Sequence, residues 1–351
     1  MATHIEVWIA FFALAGLVGF FADRTSICTV KAVEEIFTTR RAFMLLSFAK
    51  TVLWVTGVTI GLIWWIGLTR PAALGFDIAW SGVFGGVLFG IGAVCNGGCA
   101  FSTLTRLGNG NLGMIVTLSG FAAGVAIFEL IRFSIDGIEI VRAAPLFELN
   151  YVPATLLGLA LTFWMTWELV RLWRTAPSGR WSTLLLSPRF RLSTAAAVIG
   201  VSNGILYTYL GTWSYTHTLR SGVEQMIVPA DVGAGQVSAA MLWWLFLALV
   251  VGVIVSSVLS RRFVLDWRAL TGWQGFLWGG ILMGLGAALV PGGNDVLLLN
   301  AIPGLSPHAL PAYLAMLAGI AIALMVVKWR GGEWKVVNCS GDQCQELKGS
   351  Q

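Results

Sequence analysis

The chain has 351 residues and a mass of 37.8 kDa; 57% of its residues are hydrophobic, 11% are charged, and mean hydropathy is +0.81. A soluble protein carries about 25% charged residues, so this composition excludes a water-soluble globule and indicates an all-α, multi-pass membrane protein. The net charge of +5 reads as membrane topology rather than a nucleic-acid surface, and 42 glycines without a period, beside 12% aromatics, exclude collagen-like and disordered chains.

Apolar stretches long enough to cross about 30 Å of hydrocarbon fall at 5–22, 43–66, 80–96, 112–131, 151–173, 194–211, 239–259, 274–291 and 311–328. The N-terminal MATHIEVW lacks a positive stretch, so no cleavable signal is expected. At the end of span one stands Gly19-Phe20-x3-Arg24-x3-Cys28, opening a mixed polar and apolar segment, 23–42, that predicts a re-entrant or interfacial helix. Lys50 lies seven residues into span two. It either snorkels to the interface or supplies a positive charge that draws anions to an inner vestibule.

Span three runs only about 15 residues before Asn96-Gly97-Gly98-Cys99, roughly 22 Å at 1.5 Å per residue. The chain therefore breaks at membrane depth, where irregular backbone survives only if it lines a cavity or is buried in protein. A half-helix is expected to follow over Ala100–Leu107. Span eight breaks likewise at Pro291-Gly292-Gly293-Asn294, with a half-helix over Asp295–Ala301. N–H groups at such helix starts carry partial positive charge and favour an anion. Asn96 is read as a donor to substrate or a cap, and Asp295 as a cation ligand or, by preference, a cap of its half-helix. The segment 212–238 is expected to resemble 23–42, entering from the other side.

The two broken spans carry one motif. Gly85–Ala93 reads GGVLFGIGA and Gly279–Ala287 reads GGILMGLGA, identical at six of nine positions. Spans one to four thus pair with spans six to nine, span five connects them, and the second copy enters the membrane inverted. The domains expected are a first repeat (1–141), a connector helix with a basic loop (142–190), a second repeat (191–330) and a cytoplasmic tail (331–351). With the N-terminus outside, inner segments hold 17 Lys and Arg and outer segments four, a positive-inside distribution that places the C-terminus inside.

Cys28, Cys95 and Cys99 lie in the first repeat, the last two flanking a break. A buried thiol stays neutral and donates weakly. It can hold a dianion briefly and release it, as conduction requires. Arg24 and Arg106 either attract anions to the cytoplasmic mouth or simply obey the positive-inside rule.

These features together resemble the YeeE/YedE family of membrane proteins, whose characterised members take up thiosulfate. The resemblance spans residues 1–330. It rests on the Gly-Phe-x3-Arg-x3-Cys segment ending at Cys28, Gly-Gly-Cys at 97–99, Pro-Gly-Gly-Asn-Asp at 291–295 and the nine-span repeat. It implies a narrow path in which cysteine S–H groups pass the anion along by hydrogen bonds, Cys28 and Cys99 being similar to two of the family's path cysteines. The third has no counterpart; Gly293 and Asn294 stand in its place. The resemblance also implies a small cytoplasmic sulfur-carrier protein as partner.

The substrate-binding set expected is Cys28, Cys95, Cys99, Asn96, Gly97, Gly98, Gly292, Gly293, Asn294 and Arg24. No cofactor, metal or enzymic activity is expected; the three histidines, His4, His217 and His308, form no pair. The leading reading is uptake of thiosulfate or a related anion through a bacterial inner membrane. One alternative is a thiol oxidoreductase using Cys95 and Cys99, which at i, i+4 would share one helix face. Another is a membrane scaffold for a cytoplasmic sulfur-transfer enzyme. The polar tail, with Cys339 and Cys344, lacks the Cys-Pro-x-Pro pattern of small sulfur carriers and predicts a mostly disordered segment.

Overall fold

Backbone N–H and C=O groups find no water in hydrocarbon, so the apolar runs fold as helices that satisfy them internally. The computed structural model describes residues 2–68, 74–133, 141–175, 190–227, 238–332, 336–340 and 342–347. In chain order come α1 (Ala2–Thr25), α2 (Thr29–Thr39), α3 (Phe43–Ile60, prolonged by a π turn over Gly61–Trp65), β1 (Leu74–Phe76), α4 (Trp80–Cys95), α5 (Ala100–Gly108) and α6 (Gly113–Phe133). Next are β2 (Val141–Ala143), α7 (Pro145–Glu148) and α8 (Tyr151–Arg174). The chain continues with α9 (Leu192–Leu210), α10 (Tyr215–Ile227), α11 (Ala239–Leu259), α12 (Trp273–Leu289) and α13 (Asn294–Val296, prolonged by a π turn over Leu297–Ala301). It closes with α14 (Ala309–Trp329), β3 (Val336–Ser340) and β4 (Gln343–Leu347).

Among the described residues, seven helical stretches are long and apolar enough to cross a membrane. The pair Leu270–Leu289 and Asn294–Ala301, bent by 45° at its break, makes an eighth. The expected span 194–211 falls on the 19-residue helix α9, which is not among these stretches, so eight of the nine expected spans are matched. This is an all-α, multi-pass membrane protein. The expected segments 23–42 and 212–238 contain the short helices α2 and α10, and 228–237 lies outside the described residues. The basic loop expected over 174–193 lies mostly outside the described residues.

Around the centre, α1 packs on α11 and α9, α3 on α9, α4 on α12 and α14, and α6 on α12. The two glycine motifs cross each other there. A Cβ on Gly85 would meet the Gly286 carbonyl at 2.9 Å, and one on Gly92 the Gly279 carbonyl at 2.8 Å. Reciprocally, a Cβ on Gly286 would meet the Gly85 carbonyl at 2.6 Å, and one on Gly279 the Gly92 carbonyl at 2.9 Å. Small residues let the backbones approach this closely, which in lipid substitutes for hydrophobic driving force.

Helix α8 stands at the periphery, packed on α3. It buries Ala154, Gly158, Leu161 and Glu168, a single helical stripe, while Leu156, Phe163 and Trp173 face outward. Because Glu168 falls on the buried stripe, its carboxylate meets Lys50 Nζ at 2.6 Å, and Lys50 also donates to Ser193 Oγ at 2.8 Å.

At one end of the bundle, Asp23 pairs with Arg262 at 2.6 Å and accepts from Asn109 and Ser256. At the other, β1 pairs with β2, and the Leu146 N–H donates to the Gly304 carbonyl.

The tail departs from expectation. Instead of a mostly disordered segment, β3 and β4 form an antiparallel hairpin in which Cys339, buried and disulfide-bonded, stands opposite Cys344. Residues 333–335, 341 and 348–351 of the tail lie outside the described residues. The hairpin docks on α2. Arg41 donates to the Cys339 carbonyl at 3.3 Å, and the Leu192 and Ser193 N–H groups donate to the Asp342 carbonyl and side chain at 2.8 and 3.0 Å. A polar segment that anchors its strands and its turn on the bundle gains order that an isolated hairpin lacks.

Candidate functional site

At the first break, α4 ends in a Schellman motif: the Gly98 N–H donates to the Ala93 carbonyl and the Gly97 N–H to the Val94 carbonyl. Gly97 has φ +74°, the left-handed conformation such an ending needs. A Cβ on Gly98 would sit 2.1 Å from Ser102 Oγ. The chain then turns into α5, whose N-cap is Cys99. Cys28 holds the same position on α2.

The two thiols are free, buried and joined. The Cys99 N–H donates to Cys28 Sγ at 3.4 Å, and the Thr29 N–H donates to Cys99 Sγ at 3.3 Å. The Cys28 S–H donates to Ser102 Oγ at 3.5 Å, and Ser102 donates to the Cys99 carbonyl at 2.9 Å. Each sulfur thus lies against the first turn of the other's helix.

The second break repeats the backbone and changes the chemistry. The Gly292 N–H donates to the Ala287 carbonyl, the same six-residue closure, but Pro291 has no N–H for the inner bond. At the motif's spacing of 194 residues, Gly293 takes the place of Cys99. A Cβ there would lie 2.7 Å from Thr216 Oγ1 and 2.8 Å from Asp295 Oδ1. The volume near that backbone is therefore filled by a carboxylate. Asp295 Oδ2 accepts from the Thr216 N–H at 3.1 Å, and Oδ1 accepts from the Thr216 hydroxyl.

The starts of α2, α5, α10 and α13 converge. Besides the thiol bonds, Asn294 Nδ2 donates to Thr29 Oγ1 at 3.1 Å, the Tyr215 hydroxyl donates to the Ala100 carbonyl at 2.8 Å, and Thr216 binds Asp295. One hydrogen-bonded network links all four first turns. Each helix start carries about half a positive charge, so the shared centre favours anions. Asn294 Oδ1 is buried with no hydrogen-bond partner. The sequence reading missed Thr29, Ser102, Tyr215 and Thr216. Their one signal is position, since each falls in the first turn of a short helix beside a break.

The remaining expected residues lie elsewhere or act locally. Asn96 donates to the Gly98 carbonyl and Thr103 Oγ1 and accepts from Thr117 Oγ1 at 2.6 Å, bracing the break against α6. Arg24 turns to the bundle end, where Nε donates to Ser256 Oγ at 2.9 Å and the guanidinium lies over the Phe20 and Phe190 rings. Cys95 is exposed at the end of α4, whereas Cys99 is buried at the start of α5. The break between them removes the single helix face that an i, i+4 dithiol would need. Lys50, with Ser47, Arg171, Ser193 and Asp342, lines a cavity of about 260 Å³ beside the tail hairpin.

Residues 24–322 match the sulphur-transport family. The chain is also similar to the thiosulfate transporter TsuA of Escherichia coli (strain K12), with 26% identity covering 80% of this chain and 84% of that one. The match runs through both breaks and both halves of the bundle, so the chain belongs to the sulphur-transport family of membrane proteins, the YeeE/YedE family.

Proposed function

We propose that this protein carries a small sulfur oxyanion, thiosulfate or a close relative, inward across a bacterial inner membrane. The anion passes the converged helix starts, where Cys28 and Cys99 hand it on through S–H hydrogen bonds and Asn294 captures it from the outer side. The observation that carries this reading is the joining of four helix starts around two buried, free thiols. Partial positive charge from the helix starts attracts a dianion and still lets it leave. The likeness to a thiosulfate transporter supports the choice of substrate.

In this reading residues 1–141 and 191–330 are inverted-topology repeats, with the N-terminus outside and the C-terminus inside. The reciprocal crossing of the glycine motifs and the matching order of α1–α6 and α9–α14 support it. The tail hairpin then lies on the cytoplasmic side, where a small sulfur-carrier protein would receive the anion. Membrane vesicles with and without the protein, given labelled thiosulfate, test the function. Uptake that sulfate does not match and that is lost in Cys28→Ala and Cys99→Ala supports it, and equal uptake by empty vesicles refutes it.

A further inference from the structure

Asp295 is a carboxylate 1% exposed inside a bundle that crosses the membrane. Its oxygens accept from the Thr216 N–H and hydroxyl, and among the described residues no Lys, Arg or His pairs with it. The titratable group facing it is Tyr215 on α10, whose ring also lies near Cys99. Its own segment, Asn294–Ala301, holds no other ionisable side chain. Farther along α10, Arg220 and Glu224 pair with each other. Asp295 also lines a cavity of about 10 Å³ with Trp213, Tyr215 and Phe101, into which α1 and α11 contribute apolar groups such as Val18 and Leu249. That volume suits one water-sized species and no oxyanion. The indole N–H of Trp213, on the cavity wall, is buried without a hydrogen-bond partner.

An ionised carboxylate out of water costs several kcal/mol unless it is compensated. Here the Thr216 N–H and hydroxyl, the Ser214 hydroxyl and two helix starts compensate it. A dianion arriving at the same helix starts competes for that positive potential and repels the carboxylate. A proton on Asp295 removes the repulsion and leaves the helix starts to the substrate. We propose that Asp295 is the proton site that couples anion uptake to the proton gradient, one proton entering with each anion. By linkage, whatever factor the proton adds to anion affinity the anion adds to proton affinity.

The inference rests on the transport reading above, and the test separates the two. Proteoliposomes holding the full chain are clamped at zero membrane potential and given labelled thiosulfate with an inward proton gradient of one pH unit. One coupled proton gives about tenfold accumulation, with acidification of the lumen. Asp295→Asn keeps the shape of the protonated acid, so it should exchange labelled thiosulfate across the membrane yet accumulate none against its gradient. Uptake by the unaltered protein that ignores the proton gradient overturns the proton site and leaves the transport reading standing. Gradient-driven accumulation by Asp295→Asn, or loss of its exchange as well as its accumulation, also overturns the proton site. No thiosulfate movement by the unaltered protein overturns both.

Discussion

Replacing Cys99 tests the thiol relay most directly. Cys99→Ala removes a sulfur that is fully buried and that accepts from the Thr29 N–H at 3.3 Å. An orphaned buried N–H costs about 1–3 kcal/mol, and sulfur is a weak acceptor, so the stability cost falls at the lower end. The transport cost is separate. The S–H donated to a passing anion is lost, and a hydrogen bond to a charged group is worth about 1.5–3 kcal/mol. At 1.4 kcal/mol per factor of ten, uptake should fall roughly 10- to 100-fold while the protein remains monodisperse in detergent. Cys99→Ser keeps a donor on a shorter bond and should recover part of the rate. Labelled-thiosulfate uptake, normalised to protein in the vesicle, reads all three. If Cys99→Ala transports at the unaltered rate, the thiol relay is wrong and the helix starts alone must hold the anion.

Small polar thiol reagents should label Cys95 at the same rate with or without thiosulfate, because it is exposed and away from the network, whereas labelling of Cys28 and Cys99 should slow when thiosulfate is present. Equal slowing of all three would point to a global closure instead. Asn294→Ala should raise the half-saturation concentration several-fold with little change in maximal rate, and the opposite split would remove Asn294 from initial capture. His308, buried in the loop before α14 with Nδ1 2.9 Å from Ser306 Oγ, has its pKa pushed down to about 4 by burial. Below the unfolded value of about 6.5 the unfolded chain binds a proton that the folded chain refuses. Stability should therefore fall as pH drops from 6.5 towards 4, by about 1.4 kcal/mol per unit. Melting temperatures of His308→Gln across that window should decline less, and an identical decline would refute the assignment.

What the sequence could reveal followed from what is local. Span lengths and Gly97-Gly98 or Pro291-Gly292-Gly293 placed both breaks within a residue or two, because helix endings depend on backbone conformations that few residues adopt. The close packing of the repeated motif has a local cause as well, since glycine at four-residue spacing is useful where another backbone lies against it. The site was legible only in half. Cys28 and Cys99 stood out as sulfur beside breaks, but Thr29, Tyr215 and Thr216 are ordinary hydroxyl residues whose role comes from meeting partners 70, 115 and 79 positions away. The tail was misread because its composition is polar. A closer signal was present, Ser-Gly-Asp between short runs with Val-Val and paired cysteines, which is hairpin chemistry. The i, i+4 reading of Cys95 and Cys99 failed for a related reason, as helical spacing holds only within an unbroken helix.

The difference between the two breaks bears on direction of work rather than on fold. Both close with the same six-residue backbone bond, and both feed a short helix into the same network. In the first half the side chains at that point are the thiols of Cys28 and Cys99; in the second the space is held by Asp295 and Thr216. A relay of neutral thiols alone would let an anion run down its own gradient in either direction. A membrane potential negative inside opposes entry of a dianion, by about 2.3 kcal/mol per charge per 100 mV. One proton entering with the dianion cancels one of its two charges and halves that opposition, and Asp295, which pairs with no Lys, Arg or His among the described residues, stands at the break that lacks sulfur. On the proposed reading, the second break contributes a proton site where the first contributes thiols.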